Sequence, residues 1–324
     1  MANIKAGVIG VGYLGRFHAQ KYAALEDVDL VGVVDVNEER RNNVAAECEC
    51  TGYADYQELL KEIDVASIVV PTTCHYDVAK DCIEAGVDIL LEKPMTVTLE
   101  EADDLIKRAE NKGTIIQVGH LERFNPAVLA MQPHLTKPVF IESHRIATFK
   151  NRAIDVDVVL DLMIHDIDII LSIVGGSLKD IHCVGAPVAT KTTDIANARL
   201  VFENGATANV TVSRISFQNS RKMRIFQPGS YINVDFGSKS AMVVKLIGEP
   251  PEEGGMPETK ITTESFGDSD ALKSEIISFL DHARKRSKPM VSGKEGREAL
   301  ALALEVMNQI EFHQKGELYQ SIKK

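Results

Sequence analysis

The sequence predicts an α/β protein of two domains. Residues 1–120 should form a doubly wound parallel sheet, and residues 121–324 an α/β domain with an open, mostly antiparallel sheet. Three observations predict this. The first 120 residues alternate short Val- and Ile-rich runs with helical patterns, as βαβ units do. After residue 174 the patterns become strand-like at short spacing, and Glu203-Asn204-Gly205 between two of them is a hairpin signal. Finally, 324 residues exceed one ordinary domain and suit two. The boundary is expected near 119–126.

In order, buried strands are expected at Ile4–Gly10, Asp29–Asp35, Ala66–Val70, Val87–Leu91 and Thr114–Val118. Helices fall between them, near 14–25, 38–49, 73–85 and 98–112. Thr98 followed by Glu101 is a capping box, and Gly113 a C-terminal stop. A helical region near 156–174 opens the second half. Strand patterns follow at Leu178–Val188, Ala196–Phe202, Ala206–Ile215, Lys222–Phe226, Tyr231–Asp235 and Ala241–Leu246. Gly248–Gly255 reads as a loop, and two helices near 269–286 and 294–314 close the chain.

Composition excludes several classes. At 44% hydrophobic and 26% charged residues the chain is an ordinary globular one. The apolar stretch Ile164–Val174 is cut by His165, Asp166 and Asp168, so no membrane insertion is expected; the N-terminus lacks a signal-peptide pattern, and a cytoplasmic location is expected. A net charge of -11 argues against nucleic acid as a partner. Five cysteines with no C-x-x-C, and no H-E-x-x-H, give neither a disulfide framework nor a metal site.

Gly10-Val11-Gly12-Tyr13-Leu14-Gly15 is a G-x-G-x-x-G that follows a strand and opens a helix. That context marks a dinucleotide-binding Rossmann domain. Gly10 permits the tight turn, Gly12 lets backbone approach a pyrophosphate, and Gly15 lets helix and strand pack. The helix N-terminus then faces the phosphates. Asp35, twenty residues beyond Gly15, can accept hydrogen bonds from ribose hydroxyls and would repel a 2′-phosphate, so NAD is favoured. Asp35-Val36-Asn37 can instead merely cap the next helix, and Arg40 or Arg41 can accept a 2′-phosphate.

Two further motifs point to chemistry. Glu92-Lys93-Pro94 follows a parallel strand, at the sheet edge where ligands bind. A lysine desolvated there can assist proton transfer; equally it can be a surface lysine. Asp161 and His165 lie at i and i+4, one helical face, where a histidine beside a carboxylate can take a hydroxyl proton. His165 can equally be a satisfied core histidine, and Asp166 and Asp168 a solvated face.

These motifs, with Pro71-Thr72-x-x-His75, Arg123-Phe124 and Asp161-x-x-x-His165-x-x-Asp168, together resemble the Gfo/Idh/MocA oxidoreductase family, which includes glucose–fructose oxidoreductase and inositol dehydrogenase. The resemblance covers nearly the whole chain. It implies an N-terminal Rossmann domain, a C-terminal sheet that supports the substrate and oligomer contacts (dimer or tetramer), and a sugar-like alcohol as substrate. It makes Lys93, Asp161 and His165 catalytic: His165 as general base, Lys93 polarising the hydroxyl, Asp161 orienting. Gly10, Gly12, Tyr13, Leu14, Gly15, Asp35, Pro71, Thr72, His75, Glu92 and Lys93 would form the cofactor cleft.

The segment Gly119-His120-Leu121-Glu122-Arg123-Phe124-Asn125-Pro126 is similar to a branch of the family acting on nucleotide sugars, oxidising C3 of a UDP-N-acetylhexosamine to a 3-keto sugar for lipid A biosynthesis. His120, Glu122 and Arg123 would then touch substrate, with Arg145, Lys150 and Arg152, or Arg214 and Arg221, offered to a diphosphate. Any of these arginines can instead be a sheet-surface group or an ion-pair partner. A free polyol such as inositol is the alternative substrate, and a non-catalytic dinucleotide sensor the alternative class.

Overall fold

A computed structural model describes residues 3–149, 156–248, 255 and 257–315. The chain divides into two compact units: Met1–Leu121 with Asp270–Leu300, and Glu122–Ser269 with Ala301–Lys324.

The first unit runs β1 (Ile4–Ile9), α1 (Tyr13–Ala23), β2 (Val28–Val34), α2 (Glu38–Glu47), β3 (Thr51–Tyr53), α3 (Tyr56–Leu59), β4 (Val65–Ile68), α4 (Thr72–Glu84), β5 (Asp88–Glu92), α5 (Leu99–Lys112) and β6 (Ile116–Gly119). Its six strands are all parallel in the order β3-β2-β1-β4-β5-β6, the doubly wound dinucleotide-binding order. Strands β4, β5 and β6 are buried at every position, which is why they read as largely apolar runs without alternation. Thr98 caps α5 reciprocally with Glu101, and Gly113 ends it in the left-handed region at φ 69°. The strand β3 has no apolar signal: two of its three residues are exposed and it sits at the sheet edge.

The second unit begins with a 3₁₀ turn, Leu121–Phe124, and α6 (Pro126–Met131). There follow β7 (Phe140–Thr148), a π-helical turn at Val159–Met163, α7 (Ile164–Val174), and β8 (Leu178–Ala186), β9 (Ile195–Phe202), β10 (Thr207–Ser216), β11 (Ser220–Gln227), β12 (Ser230–Asp235), β13 (Ser240–Ile247) and β14 (Glu258–Ser265). The eight strands lie in the order β14-β13-β12-β11-β7-β10-β9-β8, antiparallel except for the parallel pair β7–β10. Asn204 and Gly205, the latter at φ 87°, close the expected β9–β10 hairpin. The inward faces of β7 to β13, including Ile141, Leu200, Val210, Ile225 and Val234, form its core.

Assigning everything after 120 to the second domain misses a return of the chain. Helix α8 (Ala271–Lys285) carries Leu272, Ile276, Phe279, Leu280 and Ala283 on one stripe, and these pack in the core cluster of the first unit with Ala19, Tyr22 and Leu90. The last helix, α9 (Gly293–Lys315), starts in the first unit, where Gly296 packs against Val118, and continues in the second.

Candidate active site

The residues expected at the cofactor cleft, and His120, all lie at or after the carboxyl ends of parallel strands: Gly10–Gly15 after β1, Asp35 after β2, Pro71–His75 after β4, Glu92 and Lys93 at β5, and His120 after β6. The glycine turn is sterically determined. Gly10 sits at φ +90°, and a Cβ there would lie 2.5 Å from the Val69 carbonyl oxygen. A Cβ on Gly15 would lie 1.9 Å from the Gly10 oxygen. Around Gly12, by contrast, the nearest atom a Cβ would meet is Arg40 Nη1 at 3.9 Å, so this backbone is open to a ligand. Gly12 is also the N-cap of α1 and supplies no side-chain cap, which leaves the helix N–H groups for an anion. The cradle fits a dinucleotide pyrophosphate.

Asp35 is 6% exposed. Its carboxylate accepts from the Val11 N–H at 3.0 Å and the Asn37 N–H at 2.9 Å, and Arg40 Nη1 is 3.3 Å away. Asn37, not Asp35, caps α2. Tyr13 is exposed and meets Phe17 edge-on, and Leu14 is half-buried beside it. Pro71 is the N-cap of α4 and Thr72 its first residue. His75 is buried, with Nδ1 2.9 Å from the Pro94 carbonyl and Nε2 2.9 Å from the Val70 carbonyl. Burial lowers its pKa, and a neutral ring can donate to only one of the two. His75 therefore ties the end of β4 to the turn after Lys93 rather than facing the cleft.

Lys93 is half-buried, and its backbone N–H donates to Glu92 Oε2 at 3.2 Å. Glu92 lies flat on the backbone of Gly119, where a Cβ would come within 3.0 Å of its carboxyl carbon. His120 is 1% exposed, so its side chain belongs to the interior.

In the second unit Asp161 lies in the π turn and His165 one residue into α7; both are half-buried. The sequence reads as a continuous α-helix here. The wider π turn is a device common at functional sites, and it leaves i and i+4 on nearly one face. Glu122 and Arg123 lie in the 3₁₀ turn. Arg145 on β7 is 2% exposed and fully engaged: Nε donates to Asp166 Oδ2 at 2.7 Å, Nη2 to Asp166 Oδ1 at 3.2 Å, and Nη1 to Glu122 Oε1 at 2.7 Å. Its guanidinium also stacks over the Phe236 ring at 5.1 Å. Burial works to lower its pKa, but the charges of Asp166 and Glu122 win and hold it raised. Ser143 Oγ completes Asp166 at 2.8 Å, and Arg123 Nη1 is 3.4 Å from buried Asp168. Asp166 and Asp168 are thus interior groups, not a solvated face.

Arg214 is likewise buried, 3.1 Å from Asp194, while Arg221 is exposed at the start of β11, on the sheet face it shares with Arg145. Lys150 and Arg152 lie outside the described residues. Among the described arginines expected at a diphosphate, Arg221 is the exposed one. Reading the sequence missed Asp194: its carboxylate accepts from the N–H groups of Val188, Ala189 and Thr190 at 2.8, 2.6 and 2.8 Å. Burial alone would raise its pKa, but those donors lower it to about 2. The loop it organises reaches the start of the π turn through Thr193, whose carbonyl accepts from Val158 N–H at 3.2 Å.

A parallel sheet in this order, with an open glycine cradle and a ribose-ready carboxylate at its edge, defines a dinucleotide-binding oxidoreductase. Residues 4–120 match the oxidoreductase family with an NAD-binding Rossmann fold, and residues 132–228 match the GFO/IDH/MocA C-terminal domain. The chain is 40% identical over 313 residues to a UDP-N-acetylglucosamine 3-dehydrogenase of Acidithiobacillus ferrooxidans, covering 96% of this chain and 98% of that one. A solved structure of that enzyme superposes with a TM-score of 0.91 at 38% identity, over 98% of this chain and 100% of the other. A myo-inositol 2-dehydrogenase of Thermotoga maritima is 24% identical over 339 residues, 95% of this chain and 96% of its own. The chain belongs to the Gfo/Idh/MocA oxidoreductase family, and its cofactor is NAD.

Proposed function

We propose that this protein oxidises the C3 hydroxyl of a UDP-N-acetylhexosamine, UDP-N-acetylglucosamine above all, to the 3-keto sugar. The observation that carries the reading is the 40% identity to a UDP-N-acetylglucosamine 3-dehydrogenase along nearly the full length of both chains. The G-H-x-E-R-F-N-P segment, whose Glu122 is ion-paired to Arg145, supports it.

When bound, NAD supplies the hydride acceptor. The residues of this chain do the rest. His165 takes the hydroxyl proton as general base, and Asp161, on nearly the same helical face, orients it. Lys93, fixed at its backbone by Glu92, polarises the reacting oxygen. Arg221, with Lys150 and Arg152, attracts the diphosphate. Glu122, Arg123 and Arg145 shape the wall rather than grip phosphate, since their charges already answer one another or Asp166 and Asp168. The reading includes a homo-oligomer (dimer or tetramer), a cytoplasmic location, and supply of a 3-keto sugar for the amination that leads to lipid A.

The test mixes the protein with NAD and UDP-N-acetylglucosamine and follows absorbance of reduced cofactor, with an aminotransferase and glutamate present to remove the keto sugar. Reduction should occur, be absent with free N-acetylglucosamine, and fall by about 10²–10⁴-fold in Lys93→Ala and His165→Ala. Reduction with inositol and not with the UDP-sugar would replace the substrate. Dinucleotide binding with no turnover of any alcohol would replace catalysis with sensing.

A further inference from the structure

Helix α8 brings into the first unit a carboxylic acid that the chemistry above does not use. Glu275 is 0% exposed, and neither carboxyl oxygen has a hydrogen-bond partner among the described residues. It sits on the apolar stripe between Leu272 and Phe279, where a leucine would be expected. Its helix is anchored to β6 by Gln117 Nε2, which donates to the Glu275 carbonyl at 3.1 Å. A buried carboxyl without a partner is costly, and far more costly when ionised.

Helix α8 packs against β5, with Leu272 and Ile276 in one cluster with Leu90, and Glu92 ends that strand. Glu92 is held between the backbone of Gly119, the Lys93 N–H and His18 Nε2, the last at 3.4 Å from Oε1. Behind His18 the Ser67 hydroxyl lies 3.1 Å from Nδ1 and 2.9 Å from the buried Tyr22 hydroxyl. From α4, His75 also feels the Glu92 charge. The titratable groups around the two glutamates are thus His18 and Tyr22 from α1, His75 from α4, and Lys93 next in the chain. Burial first, and the neighbouring Glu92 second, push the Glu275 pKa well above the usual carboxylate range.

We propose that Glu275, buried without a hydrogen-bond partner on the helix packed against β5, keeps its proton, and that this proton senses the charge of the bound nicotinamide. Glu92 ends β5, in the half of the sheet beyond the β1/β4 switch, and ligands of such sheets bind outside the strand ends. The oxidised nicotinamide ring carries a positive charge and the reduced ring none. A positive charge over the strand ends favours a second carboxylate, so the Glu275 proton passes to solvent when NAD⁺ binds and stays when NADH binds. By linkage, NAD⁺ affinity then rises with pH relative to NADH, by as much as about tenfold per pH unit if a whole proton is released. The inference rests on NAD occupying this edge of the sheet.

The experiment is calorimetric titration of the full-length protein with NAD⁺ and with NADH, each in two buffers of different ionisation enthalpy, for wild type and Glu275→Gln. Wild type should release protons on binding NAD⁺ and not on binding NADH. The isosteric, always neutral Gln variant should still bind NAD⁺ but release none. Wild-type binding of both cofactors with equal proton exchange overturns the proposal without reference to any variant. Undiminished release in Glu275→Gln also overturns it, assigning the proton to His18, His75, Tyr22 or Lys93. Failure of wild type to bind either cofactor counts against the dinucleotide site itself.

Discussion

Asp194 and Arg145 show how much of this architecture rests on single buried charges. Asp194 holds three backbone N–H groups and faces Arg214, and its loop meets the turn that carries Asp161. Its folded pKa, about 2, lies below the ordinary value of about 3.9. Its stabilisation is therefore fully present above the ordinary value and is lost as pH falls through about 2. Asp194→Ala should lower unfolding free energy at neutral pH by about 3–5 kcal/mol, measured by urea denaturation, because it strands Arg214 and the donors. Arg145→Ala should cost a similar amount by leaving Asp166 unpaired. Wild-type-like stability in either variant would contradict the ion networks described. These residues also mark the limit of the sequence. Arg145 is legible as a cation near a strand, but only the fold shows that Asp166 and Glu122 claim it. Asp194 carries no motif, since three of its partners are backbone groups of its own loop and Arg214 reaches it only in the folded sheet.

At the scale of elements, periodicity located five of the six strands of the parallel sheet, all but β3, and α5 with its caps, because one physical rule governs each. It failed at β7, where the buried positions of Phe140–Thr148 include Ser143 and Arg145, so the inward face does not read as apolar. It failed at β14, an edge strand whose residues are almost all exposed. Helix α8 was legible as a helix but not as part of the first unit. Its clue is Glu275 within an apolar stripe. An unfolded glutamate loses its proton near about 4.3, whereas Glu275 holds it to higher pH. Between those values the folded chain binds more protons than the unfolded one. Stability from this group therefore falls as pH rises, by up to about 1.4 kcal/mol per unit, until the folded value is reached. Urea midpoints across that window should shift steadily in favour of Glu275→Gln relative to wild type. A constant difference between the two would show that Glu275 is ionised like any surface glutamate.

For the whole molecule, the glycine fingerprint, Glu92-Lys93 and Asp161/His165 were all visible in the sequence because a short motif keeps its spacing wherever the chain goes. The π turn was not visible, since an α-helical reading gives the same two residues one face. The net charge of -11 leaves the capture of an anionic nucleotide sugar to local cations. Turnover should therefore be salt-sensitive, with Arg221→Ala raising KM for the UDP-sugar more than it lowers kcat. An unchanged KM would remove Arg221 from the diphosphate site. The substrate and the position oxidised can be tested together with UDP-N-acetylglucosamine carrying deuterium at C3. Mass spectrometry of the cofactor after a single turnover should find the deuterium in the reduced nicotinamide, with transfer slowed by about 10²–10⁴-fold in His165→Ala. Unlabelled reduced cofactor would show that a different hydroxyl reacts, and cofactor left oxidised while NAD binding is intact would contradict the nucleotide-sugar reading.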